Sequence, residues 1–356
     1  MNQPWSQLAQ RIVEAIDVQP GELIQIREGT GRYEIVQAVA LAVELRGATP
    51  AVELLSARYL ERLWNEAPLD YLAQWDQHRL GWMDQYHRII RLVGADPSTG
   101  EVRQAGFQAW LRAIDRLTVC EEARRLPFLV AAVPTAEEAD QLGLSLAELE
   151  TILLPALLTT PEELRRAVAP VLAAVQGQRF TIRSGPGCEL TLHHGDRPWH
   201  EDDGQLDNED WARGAFVLNL PSGDIYTTVM ETATTGSLWL AQAGGATAVT
   251  LHFEQGRIVQ IKADHGAEEL EALFARHTGE PRRISHIGIG LNPYLHQPIG
   301  STLVDEHIYG QLYFALGENR YMGGQNESSL NIDYLIPQAT FLVDDRVIIE
   351  AGTLAV

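Results

Sequence analysis

Cysteine is nearly absent: Cys120 and Cys188 are the only two in 356 residues. That leaves no disulfide framework and no cysteine-based zinc site. Basic side chains are also scarce. With 27 Lys and Arg against 48 Asp and Glu, the formal charge is -21, the opposite of the clustered positive charge that phosphate binding requires, so no nucleic-acid partner is expected. No run of 18 or more apolar residues occurs, and the opening Met1-Asn2-Gln3-Pro4-Trp5 lacks a basic stretch followed by an apolar one. Neither a membrane span nor a cleaved signal is therefore expected, and the expected localisation is cytoplasmic. What is present, 45% hydrophobic and 21% charged residues, suffices for a large core split into two domains. The acidity also fits a carboxylate-lined site, with most of it assigned to solvated helix surface.

The first third alternates strand and helix. Leu8, Ile12, Val13 and Ile16 recur at helical spacing until Pro20-Gly21. Leu23-Ile24-Gln25-Ile26 reads as a strand, Tyr33 to Arg46 as an amphipathic helix closed by Gly47, and Ala51 to Leu55 as a second strand. Strand, helix and strand in so short a span make a parallel crossover unit. Arg88 to Val93 and Phe128 to Val133 are further strands, Gly94-Ala95-Asp96-Pro97 is a loop, and Gln104 to Arg124 is a helix. Gly29-Thr30-Gly31 is too short for a dinucleotide fingerprint. Helices continue to Gly177, one of them opening on Thr160-Pro161-Glu162-Glu163 with Thr160 as its cap.

After Arg179 the pattern becomes alternating: Arg179 to Arg183, Cys188 to His193, Gly214 to Leu220, Ser237 to Leu240, Ala248 to Phe253 and Arg257 to Ile261, with one helix near Ala267 to Arg276. The expected architecture is an α/β domain over 1–177, with an open, mostly parallel sheet and flanking helices, followed by a β-rich α+β domain over 178–356. Within the second domain, residues 286 to 333 concentrate the plausible chemistry. They run from His286-Ile287-Gly288-Ile289-Gly290 through Asp305-Glu306-His307 and Ala315-Leu316-Gly317 to Asn331-Ile332-Asp333. Glycines that admit close backbone approach, a histidine and an alternating polar-x-Asp strand suit a metal or substrate pocket.

Asp196-Arg197-Pro198-Trp199 with Asp203-Gly204, Asn219-Leu220-Pro221-Ser222-Gly223-Asp224 and the 286–333 region resemble the aminopeptidase T family of metallopeptidases. Val18-Gln19-Pro20-Gly21-Glu22 and Arg46-Gly47-Ala48-Thr49-Pro50 are similar to that family's opening domain, so the resemblance spans nearly the whole chain. It implies a homodimer that removes N-terminal residues from peptides with two divalent ions (Zn, Co or Mn) held by glutamates, histidines and an aspartate. Asp224 falls where the family has a ligand glutamate, His286 lies beside the position of a second, Tyr313 replaces a histidine, and Asn331 replaces the histidine of a closing His-x-Asp pair that retains Asp333. The stretch from His286 to Pro293 also resembles 2,5-dihydroxypyridine dioxygenase, which implies a single Fe(II) with His286, Asn331 and Asp333 as its ligands.

The metal ligands expected are thus Asp224, His286, Asn331 and Asp333. Tyr321 is expected to stabilise an oxyanion and Glu231 to act as base or supporting partner. His193, His194 and His200 flank Asp202 and Asp203, a spacing that matches no zinc pattern, and His307 is given no role. Three functions follow: a metal-dependent peptidase-like hydrolase, a single-iron ring-cleaving dioxygenase, and a binding or structural dimer whose site has decayed. In each the partner is a peptide or small molecule, with neither nucleic acid nor membrane.

Overall fold

The computed structural model describes residues 3–95, 97 and 102–356. Met1 and Asn2 of the opening stretch and Asp96 of the loop before Pro97 lie outside them. The chain packs into two units, Met1–Leu158 with Gly204–Pro221, and Thr159–Asp203 with Ser222–Val356.

The first unit carries the expected parallel sheet. Its strand order is Thr49–Leu54, Leu23–Glu28, Arg88–Val93, Phe128–Ala132 and Val217–Leu220, and every pair is parallel. Helices Gln3–Ala15, Tyr33–Leu45 and Gln104–Arg124 follow the sequence pattern closely. The fifth strand differs from expectation. Val217–Leu220, read from sequence as part of the antiparallel second half, instead extends this sheet beside Phe128–Ala132; its alternation fits either sheet, and its partner is remote in sequence. The Gly29-Thr30-Gly31 turn is closed by the protein's own acid. Buried Glu28 accepts from Thr30 N at 2.7 Å and Gly31 N at 2.5 Å, filling the amides a phosphate would need.

The second unit is a sandwich of two antiparallel sheets. One has eight strands, in the order Arg257–Lys262, Ala246–Glu254, Thr235–Ala243, Cys188–His193, Arg179–Ser184, Thr340–Val343, Arg346–Glu350 and Thr353–Leu354. The other has five: Asn331–Ile336, Leu312–Gly317, Ile284–Gly290, Asp224–Thr228 and His200–Asp202. Phe180, Leu190, Leu238, Leu251 and Phe253 from the first meet Ile225, Ile287, Ile289, Phe314 and Leu316 from the second in one core. The helix Pro161–Ala174 adds Val168 and Val171 to that core. Its start is the expected capping box: Thr160 Oγ1 accepts from Glu163 N, and Glu163 accepts from Thr160 N at 3.0 Å, worth about 1 kcal/mol. Among the described residues no helix is long and apolar enough to cross a membrane.

Gly290, at the end of the central strand of the five-stranded sheet, decides what lies on that sheet's outer face. A Cβ there would fall on the carbonyl oxygens of Glu306 and Ile308, so only glycine lets the 306–308 segment lie against the strand. The segment is tied down by Asn292 N to His307 O (3.0 Å) and Gly310 N to Gly290 O (2.8 Å). Asp305, just ahead of it, accepts from Ile299 N and Gly300 N at 2.8 Å each. Gly290→Ala should therefore cost about 1–3 kcal/mol by overpacking, read as a lower urea midpoint at unchanged slope. A loss below about 0.5 kcal/mol would mean that the segment is not held by this contact.

Candidate metal centre

Successive side chains of a strand point to opposite faces, so one face of the five-stranded sheet is spent on the core and the other is free to carry chemistry. Ile225, Ile287, Ile289, Leu312, Phe314 and Leu316 take the core face. Asp224, Tyr226, His286, Tyr313 and Asp333 take the other, interrupted by Gly288 and Gly290. Register arranges them in rows. Asp202 stands opposite Asp224, which stands opposite Gly290; His200, Tyr226, Gly288 and Tyr313 form the next row; Thr228 pairs with His286, and Ala315 with Asp333. Gly288 has the same purpose as Gly290. A Cβ at that position would collide with the ring and hydroxyl of Tyr313, which therefore lies over it.

Two donor groups result. In the first, His286 Nε2 is 3.0 Å from Asp333 Oδ1. Ser285 Oγ donates to Glu318 O at 2.6 Å, so at its 2.9 Å contact with His286 Nδ1 it acts as acceptor, and Nδ1 carries the ring proton. This leaves the Nε2 lone pair directed at a carboxylate. Such a pairing is repulsive unless a cation or proton lies between, and 3.0 Å is close to the separation of two neighbouring ligands each about 2.1 Å from one ion. Asn331 follows on the same strand face; its Nδ2 donates to Tyr321 Oη at 3.2 Å. Tyr321 is 41% exposed, but its hydroxyl end is desolvated, and burial together with the charge of Asp333 raises its pKa. It remains a protonated hydrogen-bond donor.

The second group is Asp202, Asp224 and His307, whose ligand atoms all lie within 4.8 Å of one another. Tyr313 Oη donates a short hydrogen bond to Asp224 Oδ2, while Asp224 Oδ1 is buried and has no hydrogen-bond partner. Burial raises the Asp224 carboxyl well above its ordinary range; the charges of Asp202 and Asp333 add to this, opposed by the Tyr313 hydrogen bond. Burial and the Asp224 charge likewise push the Tyr313 phenol up. His307 is 1% exposed. Neither of its ring nitrogens has a hydrogen-bond partner, and Glu306 Oε1 stands 3.4 Å from Nε2. Burial pushes its imidazole down to about 3, so it stays a neutral Lewis base at physiological pH. Orphaned buried oxygen and nitrogen donors beside like-charged carboxylates fit a divalent cation.

The residues expected from sequence thus separate. His286, Asp333, Asn331 and Tyr321 come together, and Asp224 faces the same side with Tyr313. Glu231 belongs to another network: its carboxylate accepts four hydrogen bonds, two from Arg197 (3.1 and 3.3 Å), one from Asn319 Nδ2 (3.1 Å) and one from Gln325 N (2.6 Å). It ties down the loop that carries Tyr321. On sequence alone, Asp202 and His200 are set aside because their spacing matches no zinc pattern, and His307 is given no role. The histidine cluster near residue 194 divides in the fold: His194 is a core residue bonded to Thr227 Oγ1 at 3.0 Å, while His200 stacks beside Tyr226 on the polar face. Gly290, read as a close-approach glycine, was the one signal that could have led to His307.

Among known proteins, a solved structure of AmpT from Thermus thermophilus matches with a TM-score of 0.69 at 19% identity, covering 99% of both chains. The structure of 2,5-dihydroxypyridine dioxygenase from Pseudomonas putida matches at 0.60 and 18%, covering 100% of this chain and 98% of that one. At these identities the likeness establishes the two-domain fold. By sequence, the curated 2,5-dihydroxypyridine 5,6-dioxygenase of Pseudomonas putida is 26% identical over an alignment of 225 residues, gaps included, that covers 55% of this chain and 59% of that relative. The match therefore spans less than two thirds of the relative's length. Residues 138–356, more than half the chain and all of the polar face, match the sequence profile of one family, so this chain belongs to NicX, the 2,5-dihydroxypyridine 5,6-dioxygenase family.

Proposed function

We propose that the protein is a metal-dependent enzyme that opens the ring of a small dihydroxylated heterocycle with molecular oxygen. The observation that carries this reading is the facing pair His286 Nε2 and Asp333 Oδ1, inside the region matched by the dioxygenase family. Ferrous iron held by His286 and Asp333, with Asn331 as a weaker oxygen donor, would supply the open positions at which oxygen and a dihydroxylated ring are activated. The chain's own contributions are specific. Ser285 fixes the tautomer of His286 by accepting from Nδ1. Tyr321, kept protonated by burial and by Asp333, offers its hydroxyl to a ring oxygen that gains charge. Glu231 has no base role here; with four hydrogen bonds accepted, it holds the Tyr321 loop in place.

The competing reading is hydrolysis of an N-terminal peptide bond. The Asp202, Asp224 and His307 group favours it, since a carboxylate-rich donor set suits an ion that acidifies water.

Protein loaded anaerobically with Fe(II) and given 2,5-dihydroxypyridine should consume oxygen. His286→Ala or Asp333→Ala should lower the rate by at least about 100-fold, and Tyr321→Phe by about 10–100-fold. Amine release from aminoacyl chromogenic substrates with Zn, Co or Mn, without oxygen uptake, would replace this reading with the hydrolytic one.

Metal-free protein gives a second test through Asp224. Its folded-state pKa lies above the unfolded value of about 3.9, so the folded state binds this proton more tightly. The associated stability is complete below that unfolded value and is lost as pH rises toward the folded one. Asp224→Asn should therefore gain thermal stability over wild type as pH is raised from about 4 to 8, with saturating divalent cation narrowing or reversing the difference. A pH-independent difference would show that burial does not hold the Asp224 proton in the folded state.

A further inference from the structure

We propose that Asp202, Asp224 and His307 bind a divalent transition-metal cation of their own, separate from any ion on His286 and Asp333. This goes beyond the proposed function, whose chemistry needs only the His286 and Asp333 pair. Three observations carry it. The donor atoms converge within 4.8 Å of one another. An ion about 2.1 Å from each of three donors holds them roughly 3.0–3.6 Å apart, so the widest separation closes by roughly 1–2 Å when an ion binds. Two of the three side chains are almost fully buried, His307 at 1% and Asp224 at 4% exposure, and both carry polar atoms that have no hydrogen-bond partner. Finally, the convergence is built by the fold: His307 reaches Asp224 only because Gly290 lets the 306–308 backbone lie on the strand, and Asp202 reaches it through strand register.

The donor set names the class of ligand. Two carboxylate oxygens and an imidazole nitrogen suit Mn(II), Fe(II), Co(II) or Zn(II), whereas Mg(II) and Ca(II) prefer oxygen alone. Separation from the other pair follows from the sheet. His286 and Gly290, the strand neighbours of the two groups, are four residues apart on one strand, about 13 Å along it. The ring of Tyr313 lies over Gly288 between them and donates its hydroxyl to Asp224. With that ring in place, the two groups form two single-ion sites instead of one bridged pair, coupled through the charge that Asp333 exerts on Asp224.

Full-length protein, stripped with a chelator and titrated with Mn(II), gives the count by the EPR signal of free Mn(II) and by elemental analysis. Wild type should bind two ions per chain. Asp202→Asn and His307→Ala should each remove one and leave the other, and His286→Ala should remove the complementary one. Asp202→Asn is nearly isosteric, so it keeps the test valid if His307→Ala fails to fold. Retention of both ions by folded Asp202→Asn and His307→Ala proteins would overturn the proposal. A single ion lost only in His286→Ala would overturn it and leave the proposed function standing. A single ion lost in Asp202→Asn and His307→Ala but kept in His286→Ala would support it and remove the His286 and Asp333 site.

Discussion

Two glycines on one strand set what the outer face of the five-stranded sheet can be. The strand Ile284–Gly290 is buried along its whole length, and its core-facing Ile287 and Ile289 belong to the sandwich interior. On the other side, side chains at 288 and 290 would have produced a second packed layer. Their absence lets a tyrosine ring settle over one position and a backbone segment over the other. Asp224, His286 and His307 are thereby enclosed rather than left on an open surface, and enclosure gives buried ionisable groups unusual chemistry.

Enclosure has an electrostatic consequence. Asp224 is buried, and of the influences on its carboxyl only the Tyr313 hydrogen bond favours ionisation, against desolvation and the charges of Asp202 and Asp333. A buried carboxylate so placed is costly unless something positive joins it. At the other end of the face, Ser285 commits the His286 proton away from Asp333, which turns two electron pairs toward one point. Both ends therefore call for positive charge, and the fold supplies a ring between them. Tyr313 and Asn331, which the sequence resemblance alone sets against histidines, each make a hydrogen bond on this face. Tyr313 holds Asp224, and Asn331 holds Tyr321.

Much of this was readable from sequence because it is local. Helical spacing, the Thr160 cap and the strand alternation each leave a mark within a few residues, and the parallel crossover around Leu23 to Leu55 follows from their order. His286, Asn331 and Asp333 were legible for the same reason, lying in strands whose alternation shows which face they take. What was not legible depends on distant pairing. Val217–Leu220 alternates like any strand, and nothing nearby marks Phe128–Ala132 as its partner. Asp202 sits on a three-residue edge strand and His307 on an irregular segment. Both reach Asp224 only through register and through Gly290, so their spacing in the chain matches no ligand motif. Glu231 shows the converse: an acid near a plausible site in sequence whose lone pairs are already taken in the fold.

The proposed function requires a divalent cation on the polar face between His286 and Asp333. Anomalous diffraction from a crystal soaked in Mn(II) measures this directly. A bound ion should give a peak about 2.0–2.3 Å from both His286 Nε2 and a carboxylate oxygen of Asp333. A fully occupied Mn(II) elsewhere on the protein with no peak between these two atoms, or a water hydrogen-bonded to both in its place, would contradict it.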